Sequence, residues 1–194
     1  MNYLAHIYLS FDNKPLAIGN FIADAVKGKQ YLEYPEEIQK GIQIHRAIDT
    51  FTDQHEIFKK SKQKLFSAHG HYSSVIVDIF YDHFLAKNWN KYHHEPLLSF
   101  TKAFYTNLNQ YNDLLPEKII KMMPYMIEQN WLYNYQYVEG IQRVLKGMNR
   151  RTKGKSNMHL ATNELLQYYI DFENEFFVFF KDVNLYSKKL TKTI

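Results

Sequence analysis

Apolar residues recur along almost the whole chain with the spacing of helices, and the alternation of apolar and polar residues that is typical of strands is scarce. Only 7 Gly and 5 Pro interrupt the 194 residues. No repeat and no long linker divides them, which favours one domain over residues 1–194 with a sizeable core. The sequence therefore predicts an all-α fold, a single helical bundle of about seven to nine helices.

Prolines, glycines and acidic residues indicate where these helices begin and end. Pro15 suits the first turn of a second helix that ends near Gly28, and Pro35 precedes acidic residues that suit the start of a third. Pro116 and Pro124 frame a region that we expect to be more broken. The predicted helices cover residues 2–11, 15–28, 35–53, 55–68, 73–91, 95–111, 125–133, 135–149 and 160–187.

Composition excludes several classes of protein. The chain has no cysteine, so disulfides and thiolate ligands are excluded, and any metal must be held by nitrogen and oxygen, as suits Mn, Mg, Fe or Zn. Apolar runs fall short of the roughly 20 residues of a membrane helix, and no secretory signal is recognisable. We therefore expect a cytoplasmic protein with no membrane partner. The net charge of +4 permits an acidic partner without requiring one.

Acidic and imidazole side chains occur at helical spacing inside apolar segments. Residues four apart in a helix lie about 40° apart around its axis and share a face. Three pairs on three predicted helices have this spacing, namely Asn20 with Asp24, His45 with Asp49, and Asp78 with Asp82; His83 follows Asp82, and His6 lies in the first apolar segment. Buried carboxylates are costly unless they are paired or bind a metal. A shared divalent cation, which activates water and polarises phosphoryl oxygens, would neutralise them.

Each of these residues also has a structural interpretation. His6 taken alone is more often a hydrogen-bonded core histidine than a ligand, and Asn20 could brace a neighbouring helix. His45 and Asp49 could form a surface pair with Arg46 nearby. The coincidence of three pairs favours a metal site slightly over these alternatives.

Short segments spread over almost the whole chain form a specific pattern around these residues. They are residues 2–6, 19–24 with Gly28, 41–49 with Thr52 and Asp53, Asp78, 82–85 followed by Trp89, 128–129 with 131–132, and 141–145 with 147–148. This pattern resembles the acyl carrier protein phosphodiesterase family. Tyr3 and Tyr8 depart from it, because the family pattern has Phe and His at these positions.

The resemblance implies a fold, a reaction and a cofactor. The family is regarded as a divergent relative of the all-helical HD-type metal phosphohydrolases, so an HD-domain-like bundle is implied. The implied reaction is hydrolysis of the phosphodiester that joins 4′-phosphopantetheine to a serine of holo acyl carrier protein, which gives apo carrier protein and 4′-phosphopantetheine. Mn²⁺ is the implied cofactor, with Mg²⁺ as an alternative. HD enzymes place a His before a His-Asp doublet, whereas this chain has Asp82-His83.

Because of this reversed order, we predict the site from helical spacing. The predicted metal ligands are Asp24, His45, Asp49, Asp82 and His83, followed by Asp78 and His6. The predicted catalytic residues are Asp24, His45, Asp49, Asp82 and Arg46, of which Arg46 would contact the phosphate or brace a carboxylate.

A basic stretch without any acid covers residues 140–163. The resemblance implies a strongly acidic carrier protein as partner, so we predict docking residues at Arg143, Lys146, Arg150 and Arg151. A solvated helix end and loop would explain the same residues equally well.

Two other functions also stay open. One is a phosphohydrolase that acts on small nucleotides or another phosphodiester. The other is a non-catalytic helical module that binds an acidic protein or nucleic acid, although the mild charge does not favour nucleic acid.

Overall fold

The computed structural model describes all of residues 1–194, and it contains eleven α-helices with six short 3₁₀ turns and no strand. The helices are α1 (Tyr3–Tyr8), α2 (Lys14–Ile22), α3 (Glu36–Gln54), α4 (Glu56–His69), α5 (Ser73–Lys87), α6 (Leu97–Gln110), α7 (Glu117–Glu128), α8 (Trp131–Asn134), α9 (Val138–Arg151), α10 (Thr162–Gln167) and α11 (Tyr169–Leu190). One core of 48 buried apolar residues joins them. The all-α fold is confirmed. None of the helices combines the length and the apolar character that crossing a bilayer requires.

The number of helices exceeds the seven to nine expected, because short helices and a break divide the C-terminal half. The expected helix over residues 160–187 is interrupted at Tyr168, whose backbone (φ −111°, ψ 28°) leaves the helical region. Where a broken region is expected near Pro124, α7 continues through the proline. Its buried residues Ile119, Met122 and Met126 share one face, so packing of that face outweighs the missing hydrogen bond.

The central helix of the bundle is α5, in which eleven of the fifteen residues are buried. It contacts α1, α4, α9 and α11, and an all-round apolar surface is typical of a helix in such a position. Its one fully buried carboxylate, Asp82, accepts hydrogen bonds from the backbone amides of Leu4 (2.8 Å) and Ala5 (3.0 Å). These two amides belong to the first turn of α1 and have no partner within that helix. Asp82 therefore fixes the start of α1, which carries His6.

A close crossing of α2 and α3 positions the other histidine. A Cβ atom on Gly19 would lie 2.2 Å from the carbonyl oxygen of Ile38, and one on Gly41 would lie 2.3 Å from a backbone oxygen of α2. Only glycine allows two helix backbones to approach so closely. The crossing places Asn20, which follows Gly19, against His45, which lies one turn after Gly41.

Candidate functional site

Two imidazoles and a carboxylate converge between α1 and α3. His6, His45 and Asp49 each offer one ligand atom, and these atoms lie within 4.8 Å of one another. The Nε2 atom of His6 is 3.2 Å from Oδ1 of Asp49, and Nε2 of His45 is 3.1 Å from Oδ2 of the same carboxylate. The two rings stack with their centroids 3.8 Å apart. We call these three residues the His/Asp cluster.

Asn20 orients both imidazoles of the cluster. Its side-chain oxygen lies 2.8 Å from Nδ1 of His6, and its backbone oxygen lies 2.8 Å from Nδ1 of His45. The amide nitrogen donates to the backbone oxygen of His6 and to Ser10, which fixes the orientation of the amide. Both rings must therefore carry a proton on Nδ1, and both direct Nε2 at Asp49. Metal-binding histidines are commonly held by such a hydrogen bond on the other ring nitrogen.

The charges within the cluster compensate one another. Burial, reinforced by the charge of His45, lowers the pKa of His6 to about 4. Burial also acts on His45, but hydrogen bonds to Asp24 and Asp49 outweigh it and raise the pKa of His45 to about 9. Burial opposes ionisation of Asp49, yet the hydrogen bond from His45 and the charge of the Met1 amino group hold the pKa of Asp49 well below its usual range. The cluster thus pairs one cationic imidazole with ionised acids, and a divalent cation would replace the proton on Nε2 of His45.

The carboxylates of the site face solvent, whereas its imidazoles are buried. Asp24 lies 3.3 Å from Nε2 of His45, and its side chain is 66% exposed, compared with 41% for Asp49 and 6% for His45. The hydrogen bond from His45 lowers the pKa of Asp24. The cluster is therefore anchored on the protein side and open at its carboxylates, as access of a substrate requires.

Asp78 lies beside the cluster but does not contact its imidazoles. The Met1 amino group is 2.9 Å from Oδ1 of Asp78 and 3.5 Å from Oδ1 of Asp49. The Met1 carbonyl oxygen is 3.1 Å from Nε2 of His6. Burial opposes protonation of the Met1 amino group, but the charges of Asp78 and Asp49 prevail and raise its pKa to about 10. A cation between two carboxylates thus separates Asp78 from the cluster.

The structure does not bring Asp82 and His83 to the cluster, which departs from the predicted ligand set. Burial raises the pKa of Asp82 to about 7, and both carboxylate oxygens already accept the amide bonds of α1. The Nδ1 atom of His83 lies 2.7 Å from the backbone oxygen of Tyr135, and its Nε2 atom lies 2.8 Å from the hydroxyl of Tyr169. Both side chains are buried with their polar atoms already engaged. Helical spacing identifies the face of α5 but not the neighbour that this face meets.

Arg46 is likewise directed away from the cluster. Its guanidinium donates to the backbone oxygens of Val26 (3.1 Å) and Gly28 (2.9 Å) and lies over the ring of Tyr31. Adjacent residues of a helix point about 100° apart, so Arg46 faces the loop after α2 while His45 faces the cluster. In this structure Arg46 contacts that loop, and its predicted contact with a phosphate stays a prediction.

A cavity of about 860 Å³ is lined by α9 and by Asp24, which contacts the cluster through His45, and we call it the α9 groove. Asp24, Met1 and Asp78 line one end, and the four predicted docking residues Arg143, Lys146, Arg150 and Arg151 line its α9 wall. These four are exposed and take part in none of the ion pairs of the structure. The volume falls within the range of about 300–1,000 Å³ for small-molecule sites.

Tyr3 lines the groove together with Asp24 and Arg151. Burial raises the pKa of Tyr3, the charge of Asp24 adds to this increase, and the charge of Arg151 opposes it. The charges of Asp24 and Arg151 therefore both reach Tyr3. Asn20, which orients both rings, is absent from the predicted ligands, although an asparagine inside an apolar segment and four residues before Asp24 is a visible signal in the sequence.

Comparison with known proteins gives one consistent family. The family described as "Acyl carrier protein phosphodiesterase" matches residues 1–183. The chain is similar to the acyl carrier protein phosphodiesterase of Photorhabdus laumondii subsp. laumondii, at 31% identity over 93% of this chain and 91% of the relative. It is also similar to those of Enterobacter sp. (strain 638), at 28% identity over 97% and 98%, and Klebsiella pneumoniae (strain 342), at 29% over 93% and 94%. No solved structure matches the chain. The match over nearly the full length confirms the resemblance seen in the sequence, and the chain belongs to the acyl carrier protein phosphodiesterase family.

Proposed function

We propose that this chain hydrolyses the phosphodiester that joins 4′-phosphopantetheine to a serine of holo acyl carrier protein, in the cytoplasm. Water supplies a hydroxyl group to phosphorus and a proton to the departing serine oxygen, so that apo carrier protein and free 4′-phosphopantetheine result. The main support is the convergence of two oriented imidazoles and Asp49 beside Asp24, which lines a groove with a cationic wall. The name of the relatives, acyl carrier protein phosphodiesterase, supports the same bond and partner.

We infer that the His/Asp cluster holds a divalent cation, Mn²⁺ or Mg²⁺. The donor set of two imidazole nitrogens and carboxylate oxygens suits such an ion, and Fe or Zn would accept the same donors. The hydrogen bonds that both Nδ1 atoms donate to Asn20 leave Nε2 of His6 and His45 directed at Asp49, as a shared ligand requires. When bound, the ion lowers the pKa of water and polarises a phosphoryl oxygen. Asp24 is the remaining candidate ligand in contact with the cluster.

The chain's own residues supply positioning and proton transfer. Asp24 is ionised, exposed and located where the cluster meets the groove, so its carboxylate can accept a proton from an incoming water. Arg143 and Arg151 line the same groove and can hold a phosphodiester by its anionic oxygens, whereas the guanidinium of Arg46 is directed at the loop after α2.

Incubation with two kinds of substrate tests the proposed reaction against a small-nucleotide phosphohydrolase. Mass detection should show holo carrier protein losing its phosphopantetheine group, while small nucleotides and other phosphodiesters react far more slowly. Faster hydrolysis of a small nucleotide would support the second enzyme class. A protein that neither binds a divalent cation nor hydrolyses any phosphodiester would be the non-catalytic helical module.

Replacing Asn20 with alanine should weaken binding of Mn²⁺ by about 10–100-fold, because His6 loses the side-chain hydrogen bond that orients it, whereas His45 keeps its bond to the backbone oxygen of residue 20. Titration of the metal-free protein with Mn²⁺ measures the effect. Asn90→Ala is the matched control, because Asn90 is an exposed asparagine outside the site. Circular dichroism identifies preparations that are folded. A folded Asn20→Ala protein with unchanged affinity would contradict the positioning by Asn20.

High salt should lower kcat/KM for holo carrier protein about tenfold or more, because we propose that the four basic docking residues attract the acidic partner. The Debye length falls from about 10 Å at 0.1 M to about 3 Å at 1 M salt, so a rate series between these limits measures the effect. An Arg150→Glu variant should start from a lower rate and respond less to salt. A salt-insensitive rate for the unchanged chain would contradict steering by this surface.

A further inference from the structure

A glycine interrupts the face of α9 that lines the groove. This face repeats at helical spacing and consists of Gly140, Arg143, Val144, Gly147, Met148 and Arg151. Close packing accounts for the first glycine, because a Cβ atom on Gly140 would lie 1.9 Å from the backbone oxygen of Asn134. A Cβ atom on Gly147, in contrast, would meet nothing within 4 Å. Glycine inside a helix weakens that helix, so Gly147 has a cost that packing within the chain does not explain.

The groove around Gly147 combines apolar walls with anchoring cations. Val144 and Met148 flank the glycine on α9, and Tyr3, Met122 and Trp131 line the groove from other helices. The two arginines of the α9 face, Arg143 and Arg151, lie on either side of Gly147 along the helix. Lys118, Lys146 and Arg150 add further cations to the lining, which suits an elongated ligand that carries apolar and polar groups and an anionic end.

Two amide side chains of the groove, Gln129 and Asn134, each have one polar atom that is available to bond such a ligand. The side-chain oxygen of Gln129 accepts from the indole of Trp131 (3.1 Å), and the side-chain nitrogen of Asn134 donates to the backbone of Gln129 (2.8 Å). The amide nitrogen of Gln129 and the side-chain oxygen of Asn134 form no hydrogen bond within the chain. One donor and one acceptor therefore line the groove together, as recognition of an amide group requires.

We propose that the α9 groove binds the pantetheine arm of the substrate, and that Gly147 leaves the space in which the arm passes α9. The arm is an elongated chain with two amide groups, a dimethyl-substituted carbon and a phosphate at one end. Its phosphate lies at the cluster end beside Asp24 and Arg151, and its body contacts Val144, Met148 and Trp131. The proposal rests on the proposed function, since it specifies which part of holo carrier protein the groove recognises.

A larger side chain at position 147 tests the proposal by direct binding of 4′-phosphopantetheine, measured by isothermal titration calorimetry. Gly147→Leu should weaken binding about tenfold or more, because the side chain occupies space that the arm requires. Ala68→Leu is the matched control, since it introduces the same leucine side chain on an exposed helix surface outside the groove, and its binding should be unchanged. Gly147→Ala, which adds a single carbon to open space, should raise Tm and weaken binding less than Gly147→Leu; it serves as the test should the leucine variant fail to fold.

The outcomes separate this proposal from the proposed function. Weaker binding to Gly147→Leu than to both the unchanged chain and Ala68→Leu supports the groove as the site of the arm. Equal binding to all folded variants, or no binding of 4′-phosphopantetheine to the unchanged chain, overturns it. If the unchanged chain binds 4′-phosphopantetheine in this groove but does not hydrolyse holo carrier protein, the groove proposal stands and the proposed function fails.

Discussion

Replacing His45 with alanine should lower the turnover of holo carrier protein about a thousandfold or more, because a metal ion contributes several kcal/mol to the reaction and each 1.36 kcal/mol changes the rate tenfold. Nε2 of His45 contacts the carboxylates of Asp24 and Asp49, and the backbone oxygen of Asn20 accepts a hydrogen bond from Nδ1 of the same ring. The same substitution should greatly weaken binding of Mn²⁺. Turnover followed by intact-mass analysis and metal content of the purified protein measure the two effects.

The matched control for this variant is His94→Ala. His94 is an exposed histidine in the loop before α6, so its removal should leave metal content and turnover unchanged. Asp49→Ala should have an effect similar to that of His45→Ala, and the double variant should lose little more, because residues that act as one unit are not additive. Full turnover or full metal content in folded His45→Ala protein would contradict the proposed metal centre.

Replacing Asp82 with alanine should lower the free energy of unfolding by about 2–4 kcal/mol, because two buried backbone amides of α1 lose their acceptor. Urea denaturation measures this loss. Turnover should fall as well, because α1 carries His6, but the protein that remains folded should still bind Mn²⁺. The large effect expected on stability follows from the cap that Asp82 provides to α1.

Asp82→Asn is the matched control, because asparagine keeps one acceptor oxygen in the same place. Burial raises the pKa of Asp82 to about 7, so a neutral side chain of the same shape resembles the form that is substantially populated near neutral pH. We expect asparagine to lose less stability than alanine. If folded Asp82→Asn protein lost Mn²⁺ as completely as His45→Ala protein, Asp82 would be a metal ligand after all.

The fold class follows from the sequence because helical periodicity is a local property, but the course of individual helices depends on packing. The second helix begins next to Pro15 as expected, and Asn13 caps it by accepting a bond from the amide of Leu16. Pro124 indicates a break that is not formed, because the buried face of α7 compensates for it. The periodicity of a segment does not report which neighbours will stabilise it.

The same distinction explains which predicted site residues the structure brings together. His45 and Asp49 lie on one helix, so their spacing of four residues alone places them side by side. The approach of His6 and Asp24 depends on the crossing of α2 and α3 and on the position of α1, which tertiary contacts determine. Asp82 shares the spacing of the other pairs, yet the face of α5 that carries it meets backbone amides instead of imidazoles.

The most direct test of a metal-dependent phosphodiesterase is the intact mass of holo carrier protein after incubation with the metal-stripped chain, before and after addition of Mn²⁺. We predict that the carrier protein keeps its phosphopantetheine group without metal and loses it after Mn²⁺ is added, with 4′-phosphopantetheine as the released product. An unchanged mass with Mn²⁺, Mg²⁺, Fe²⁺ and Zn²⁺ alike would contradict the proposed reaction. Equal loss of the group without any divalent cation would contradict the proposed metal centre.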